Sequence, residues 1–487
     1  MGFLGGKTQR FHSLYVPVAN KIDYCCYTVR RGGNWISLIT AALFIYSVVG
    51  LVLDALSLVS GSAWSIVSYF ASLLLSGIIK VLDLAAHYED RFTVEVTEPG
   101  YYENIAPPDK SWDKLELHMG GGKTEQIFRC KKIDALLRGD TPLDIRQDKG
   151  YEKRLSKSIR SKENWEGCYS KFLRHNHRKA MYGGKQFYNE VKYGLCSEPD
   201  PAHPDRPVRV HKTCYFDSYL TNIIPGQKLT RNRDGAELAD ATIPEWRPYK
   251  TDDSGRRALR RIDSEFLMAN EPGVTTLCIK ENDTILLWRQ NNLAQCSTGQ
   301  LVASGSGSAN WDDCKNFLND PEKNGLRKTV IRGMERELWE ESVGKRGIGE
   351  GEFCKHLQTR ITGYFRWLTK GGKSEFVGVS RLLDSNSMTE NLLPEESEVL
   401  RGKEIPAGTM FILRNELARR LSGALGGAGY AAGDNGYSVS CAMAMLALQE
   451  VCEEYCANCP HRSADNCGGE SCPCRPFDVL FEGYVKD

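Results

Sequence analysis

Neither sign of charge is in excess in this chain: 63 Lys and Arg residues stand against 62 Asp and Glu, a formal net charge of +1. Without a global positive field the chain does not advertise duplex DNA as a partner, so any affinity for phosphates must come from a local patch. An apolar run at the extreme amino end is also lacking. The first begins only at Trp35, and nothing before it reads as a cleavable signal peptide. Cysteines are plentiful at 17, but they are scattered except near the end, which points to a reducing compartment with thiols free or metal-bound. The 487 residues, 41% hydrophobic and 26% charged, leave room for two or three globular domains.

Charge is missing altogether from Trp35 to Leu53, WISLITAALFIYSVVGLVL. As a helix at ~1.5 Å per residue this run spans about 28 Å, close to the roughly 30 Å of a bilayer core. A second run starts at Trp64 and extends to Leu82 if Lys80 snorkels. The ten residues between the runs, Asp54 to Ala63, carry no Lys or Arg, whereas Lys7, Arg10, Lys21, Arg30 and Arg31 precede the first and Lys80 and Arg91 flank the exit of the second. That asymmetry predicts a two-span hairpin in the lipid bilayer with both termini cytoplasmic. Ser65, Ser68, Ser72, Ser76 and Gly77 form a small-residue stripe that favours close helix packing and a homo-oligomer.

The following stretch is basic. From Lys153 to Tyr193, eleven Lys or Arg stand against three Glu, interleaved with Trp165, Tyr169, Phe172, Tyr182, Phe187, Tyr188 and Tyr193. Two readings stay open: recognition of phosphate and base together, or a solvated helical face lying against an anionic leaflet. GGGKT at Gly120 to Thr124 imitates a phosphate-binding loop, but Leu117 stands where that pattern needs a glycine.

Further on, VTTLCIKENDTILLWRQN from Val274 reads as a strand hairpin turning at Glu281-Asn282-Asp283. GQLVASGSGS reads as a strand running into a glycine-serine loop, and residues 326 to 341 as a helix with Ile331, Met334 and Leu338 on its apolar stripe. That helix carries Arg336-Glu337-Leu338-Trp339-Glu340-Glu341. Three carboxylates this close repel one another unless a cation sits among them, and a hard, oxygen-seeking ion such as Mg2+ or Mn2+ suits them. Arg336 lies four residues before Glu340 and is placed to orient it. The competing reading is that these are ordinary solvated helix charges.

The order strand, glycine loop, helix, Arg-Glu-Leu-Trp-Glu-Glu resembles the Nudix box. By that resemblance Glu337, Glu340 and Glu341 match the metal-ligand glutamates and Arg336 the structural arginine of the family's catalytic set. It implies a Nudix-type nucleoside diphosphate-X hydrolase if the site is active. Departures are visible: Lys328 stands at the family's first glutamate, Glu322 at its first glycine, and Val343-Gly344 where glycine-aliphatic is expected. If the inserted SANWDDCKNFLNDPEKNG loops out, Gly305 or Gly307 can offer a backbone carbonyl to the metal. Family members often recruit a further base from later loops, for which Glu375, Glu395 and Glu396 are candidates.

The sequence ends in CANCPHRSADNCGGESCPC, where Cys456, Cys459, His461, Cys467, Cys472 and Cys474 are potential zinc ligands. Zinc, an iron-sulfur cluster and unligated thiols all remain open.

The whole is similar to the SMODS-associated Nudix proteins, transmembrane effectors of bacterial CBASS antiphage systems. That resemblance implies an inner-membrane effector that recognises a cyclic oligonucleotide from a linked cyclic-nucleotide synthase and kills the infected cell. The expected fold class is α/β, an α/β/α Nudix sandwich with a mixed sheet, preceded by the transmembrane hairpin and a basic, mostly helical linker region. The expected divisions are a cytosolic segment (1–34), two spans (35–82, about 35–53 and 64–82), the linker region (83–205), a Nudix-like domain with an N-terminal extension (206–455) and a cysteine-rich tail (456–487).

Overall fold

Leu277 and Ile279 leave their strand on one side and Cys278 on the other, and in the next strand Ile285 and Leu287 alternate in the same way with Leu286 and Trp288. Every one of these side chains is buried. Successive strand residues point to opposite faces, so such strands need cover on both sides. The computed structural model supplies it. It describes residues 43–49, 67–76, 480–481 and, from 92 to 457, all but 99, 120–122, 184–186, 188, 233, 264, 281–283, 292–296, 319, 321, 344–347, 384–391, 395–398 and 407–435. The chain divides into two units, one comprising Met1–Glu95, Glu166–Asn189 and Lys228–Asp240, the other the remainder.

The larger unit is built on a nine-stranded mixed sheet. Its strands are β1 (Asp113–Met119), β2 (Lys123–Arg129), β3 (Gly273–Ile279), β4 (Thr284–Gln290), β5 (Leu301–Ala303), β6 (Gly305–Ser308), β7 (Leu357–Trp367), β8 (Lys373–Leu382) and β9 (Val399–Pro406). Their order is β5-β4-β3-β8-β7-β2-β1, with β6 also paired to β3 and β9 to β4. Only β3 and β8 run parallel, with Gly273 opposite Glu375. The helices packed on this sheet include α1 (Lys131–Arg138), α3 (Gly325–Ser342) and α4 (Val439–Ala457), while α2 (Trp311–Cys314) packs against α3.

On one face Leu338 of α3 joins Cys278, Leu286, Trp288 and Val302; on the other Met443 and Leu448 of α4 join Leu277, Ile279, Ile285 and Leu287. The unit is therefore mixed α/β, with helices on both faces. Leu326, Val330, Met334 and Leu338, four residues apart along α3, are all fully buried, which holds the opposite edge of that helix in a fixed setting.

Several expectations change. The glycine-serine stretch is a strand, β6, running antiparallel to β3 with Val274 opposite Gly307. β1 and β2 come from the expected linker region yet belong to the main sheet, paired with each other from Asp113↔Arg129 to Met119↔Lys123. Gly120 to Gly122 of GGGKT lie outside the described residues, but its Lys123 and Thr124 open the strand β2, not the helix a phosphate-binding loop requires. The Pro-rich stretch at 198–207 separates two strands, Val191–Leu195 and Val208–Cys214, that pair with each other. Proline there turns the chain within one unit, so strand pairing crosses the boundary expected at 205/206. Helices Lys149–Ile159 and Ser170–Gly183 lie in the basic stretch, but the linker region at 83–205, expected to be mostly helical, also carries strands Phe92–Val96, β1, β2 and Val191–Leu195, and Tyr169, Phe172, Phe187 and Tyr193 are buried.

The chain reaches β3 through 266–270, a segment whose backbone is held largely by side chains. The Tyr151 hydroxyl accepts from the Met268 amide (2.9 Å), Thr221 Oγ1 from Ala269 (2.9 Å) and Asn222 Oδ1 from Asn270 (3.0 Å), while His211 Nε2 lies 2.9 Å from the Ala269 carbonyl.

In the smaller unit, Gln227–Arg231 is the central strand between Phe92–Val96 and Glu237–Asp240. Of the two expected spans only 43–49 and 67–76 are described; both are helical, and the Tyr46 and Tyr69 rings meet at 5.2 Å. Phe44, Ile45, Val49, Val67, Phe70 and Leu74 are exposed. Among the described residues no helix is long and apolar enough to cross a membrane.

Candidate functional site

Burial of the α3 apolar stripe turns Glu337 and Glu341, one helical turn apart, towards β6. A side chain on that strand would forbid the approach. A Cβ added to Gly305 would lie 2.5 Å from the Leu338 amide nitrogen, and one on Gly307 only 2.3 Å from the Glu337 carboxyl. Two glycines in a strand normally weaken it, and here they let a helix backbone and a carboxylate come close. Glu341 Oε2 accepts a hydrogen bond from the Ser306 amide at 3.1 Å. Glu337 and Glu341 retain only 7% and 3% of their exposure.

Arg336 is the hub. Its Nε and Nη2 donate to the Asp313 carboxylate, at 3.1 Å to Oδ1 and 3.0 Å to Oδ2. Nη2 also reaches the Ser308 carbonyl at 3.2 Å, and Nη1 lies 3.0 Å from both Glu337 Oε1 and Glu340 Oε2. Carboxylates on several sides hold the guanidinium firmly protonated. Glu340 is different: 45% of its side chain is exposed. Even so, its carboxyl is pushed up to about 7, first by desolvation of its inner part and then by the charge of Glu337 beside it.

Two functional features escape a reading of the helix alone. Asp313 comes from the insertion that reads as a spacer; it sits on α2, where Asn310 and Asp313 form a capping box, with the Asn310 amide donating to Asp313 Oδ2 at 2.8 Å. The pattern Asn-x-x-Asp is the available signal, and it announces a helix start rather than an arginine partner. Lys192, buried on the strand Val191–Leu195, donates to Glu190 Oε2 (2.6 Å), Asn310 Oδ1 (2.6 Å) and the Ser308 carbonyl (3.2 Å). Nothing in the basic stretch distinguishes this lysine from its neighbours.

The donor set facing β6 consists of carboxylate oxygens and backbone, which suits a hard divalent cation rather than a thiophilic one. Glu337 and Glu340 converge on a single guanidinium nitrogen, so positive charge is favoured at that point. Among the described residues no group of three or more His, Cys, Asp or Glu is already arranged to hold a metal ion. Lys328, at the position of the family's first glutamate, pairs with Glu322 (2.6 Å) and Asp320 (3.2 Å) and offers no ligand. Glu375 pairs in register with Gly273 and shares a face with Val377 and Val379, the α4 face, so it lies across the sheet from Glu337. Glu395 and Glu396 lie outside the described residues, as do Cys459, His461, Cys467, Cys472 and Cys474. Cys456 belongs to the last turn of α4. In the core, burial pushes the Cys278 and Cys314 thiols up to about 12, so they hold their protons and are poor ligands.

No family model and no curated protein matches this sequence. Among solved structures, the crystal structure of DR0079 from Deinococcus radiodurans aligns at 15% identity with a TM-score of 0.21, covering 36% of this chain and 80% of that chain. A likeness of that size carries no argument here.

Proposed function

We propose that the α/β unit binds a phosphate-bearing nucleotide through a divalent cation held by Glu337, Glu340 and Glu341, and that the chain is a membrane-anchored sensor of that nucleotide. The observation that carries this reading is the burial of Glu337 and Glu341 against a strand cleared of side chains at Gly305 and Gly307. Solvated helix charges need no such clearance. When bound, Mg2+ or Mn2+ would supply positive charge to the phosphate oxygens. The chain's own part is to hold the carboxylates: Arg336 orients Glu337 and Glu340, Asp313 orients Arg336, and the Ser306 amide orients Glu341.

Binding without turnover is favoured over hydrolysis, because Lys328 is committed to Asp320 and Glu322 where the resembled family has a glutamate. The nucleotide class we propose is a cyclic oligonucleotide made by a partner synthase, as in the CBASS effectors that the sequence resembles. Exposed apolar side chains on 43–49 and 67–76 support a hairpin that lies in the lipid, assembles with other copies and disrupts the inner membrane when the nucleotide arrives.

The test is a Mn2+ titration of the full chain in detergent, read by the electron paramagnetic resonance signal of free Mn2+. Glu337→Gln and Glu341→Gln should each weaken binding by at least about tenfold, one lost charge-assisted ligand being worth about 1.5–3 kcal/mol. Unchanged Mn2+ affinity in both variants would remove the proposed site. Consumption of added nucleotide would replace the sensor by a Mg2+-dependent hydrolase of nucleoside diphosphate derivatives.

A further inference from the structure

The helix Lys149–Ile159 has two opposed stripes. Tyr151, Leu155 and Ile159 are buried beneath it. At 100° per residue, Lys149, Lys153, Lys157 and the following Arg160 fall within an arc of about 80° on the far side, spread along about 16 Å. All four are exposed, as are Arg146 and Lys162 at either end. Seven cations occupy 146–162 against two acids, in a chain whose formal net charge is only +1. Of the two acids, Asp148 is taken up by the Tyr151 amide (2.8 Å) and Arg209 (3.2 Å), and Glu152 Oε2 accepts from Gln147 (3.4 Å). Among the described residues, none of the six exposed cations just named appears in an ion pair. Lys149, Lys153, Lys157 and Arg160 share one outward face of the helix, where Arg160 also acts on the buried Asp217 carboxyl.

We propose that this stripe is a docking surface for an anionic lipid bilayer, which the larger unit uses to lie against the membrane. A row of lysines on a flat helical face matches a plane of diffuse negative charge, where each cation adds to the attraction and none needs a shaped pocket. A single-stranded nucleic acid would call for stacking platforms beside the cations. Of the basic stretch's aromatic residues with described side chains, Tyr169, Phe172, Phe187 and Tyr193 are buried, and only Trp165, beyond the stripe, is half-buried. The surface lies wholly within residues 146–162 and makes no use of the acidic site.

The test is lysine acetylation of the full chain, read by mass spectrometry, with vesicles of phosphatidylcholine alone or with about one third phosphatidylglycerol. Lys149, Lys153 and Lys157 should react at least about threefold more slowly with the anionic vesicles only, and about 1 M salt, which shortens the screening length to roughly 3 Å, should abolish the difference. Lys315 and Lys355, exposed lysines already paired with Asp312 and Glu352, should not change. In the double variant Lys153→Glu, Lys157→Glu, protection of Lys149 should disappear. Equal reactivity in both vesicles overturns the proposal, as does protection by a single-stranded oligonucleotide but not by vesicles. Because the readout is local to the stripe, neither result depends on whether the acidic site binds Mn2+.

Discussion

Gly305 and Gly307 show how two residues without side chains can decide where charged ones go. Their substitutions by alanine should behave differently. The Gly305 Cβ would meet backbone of α3, which cannot move without moving the helix, whereas the Gly307 Cβ would meet a carboxylate that can swing away. Gly305→Ala should therefore cost about 3 kcal/mol of stability and Gly307→Ala about 1, in the range of other overpacking changes. Gly307→Ala should nonetheless weaken Mn2+ binding as much as Glu337→Gln. Urea unfolding and Mn2+ titration check both, and equal stability costs would contradict the geometry. At this scale the sequence was half legible. Arg336 and the three glutamates stand out as a group, and Arg336 does reach Glu340 four residues on. Asp313 and Lys192 were not legible, because their roles come from contacts across sequence separations that no local pattern records.

Among the elements, those with strong alternation or a long apolar stripe are legible: β3, β4 and α3 lie where their patterns place them. What misled was composition. Gly-Ser-Gly-Ser looks like a loop, yet it is a strand because a helix must pass close above it; Pro-rich residues look like a linker, yet they join two paired strands.

The 266–270 segment gives an element-scale prediction, since side chains replace the ladder bonds it lacks. Burial lowers the His211 pKa from 6.5 to about 4, so the folded protein keeps this ring neutral. Below pH 6.5 the unfolded chain takes up a proton there that the folded one refuses. The contribution of His211 is thus complete above pH 6.5 and is lost as the pH falls towards 4, by about 3 kcal/mol. His211→Gln should be less stable than the unmodified chain at pH 7.5, with that difference shrinking by about 2–3 kcal/mol at pH 4.5. Urea midpoints at the two pH values measure it, and a constant difference would contradict a neutral buried ring.

At the scale of the whole molecule, the central proposal is that the carboxylates of the α/β unit bring a cation to a phosphate. The most direct measurement is phosphorus-31 relaxation of inorganic pyrophosphate with the full chain and substoichiometric Mn2+. A ternary complex predicts strong relaxation enhancement with the unmodified chain and its loss in the double variant Glu337→Gln, Glu341→Gln. Equal enhancement in the two proteins would contradict the account.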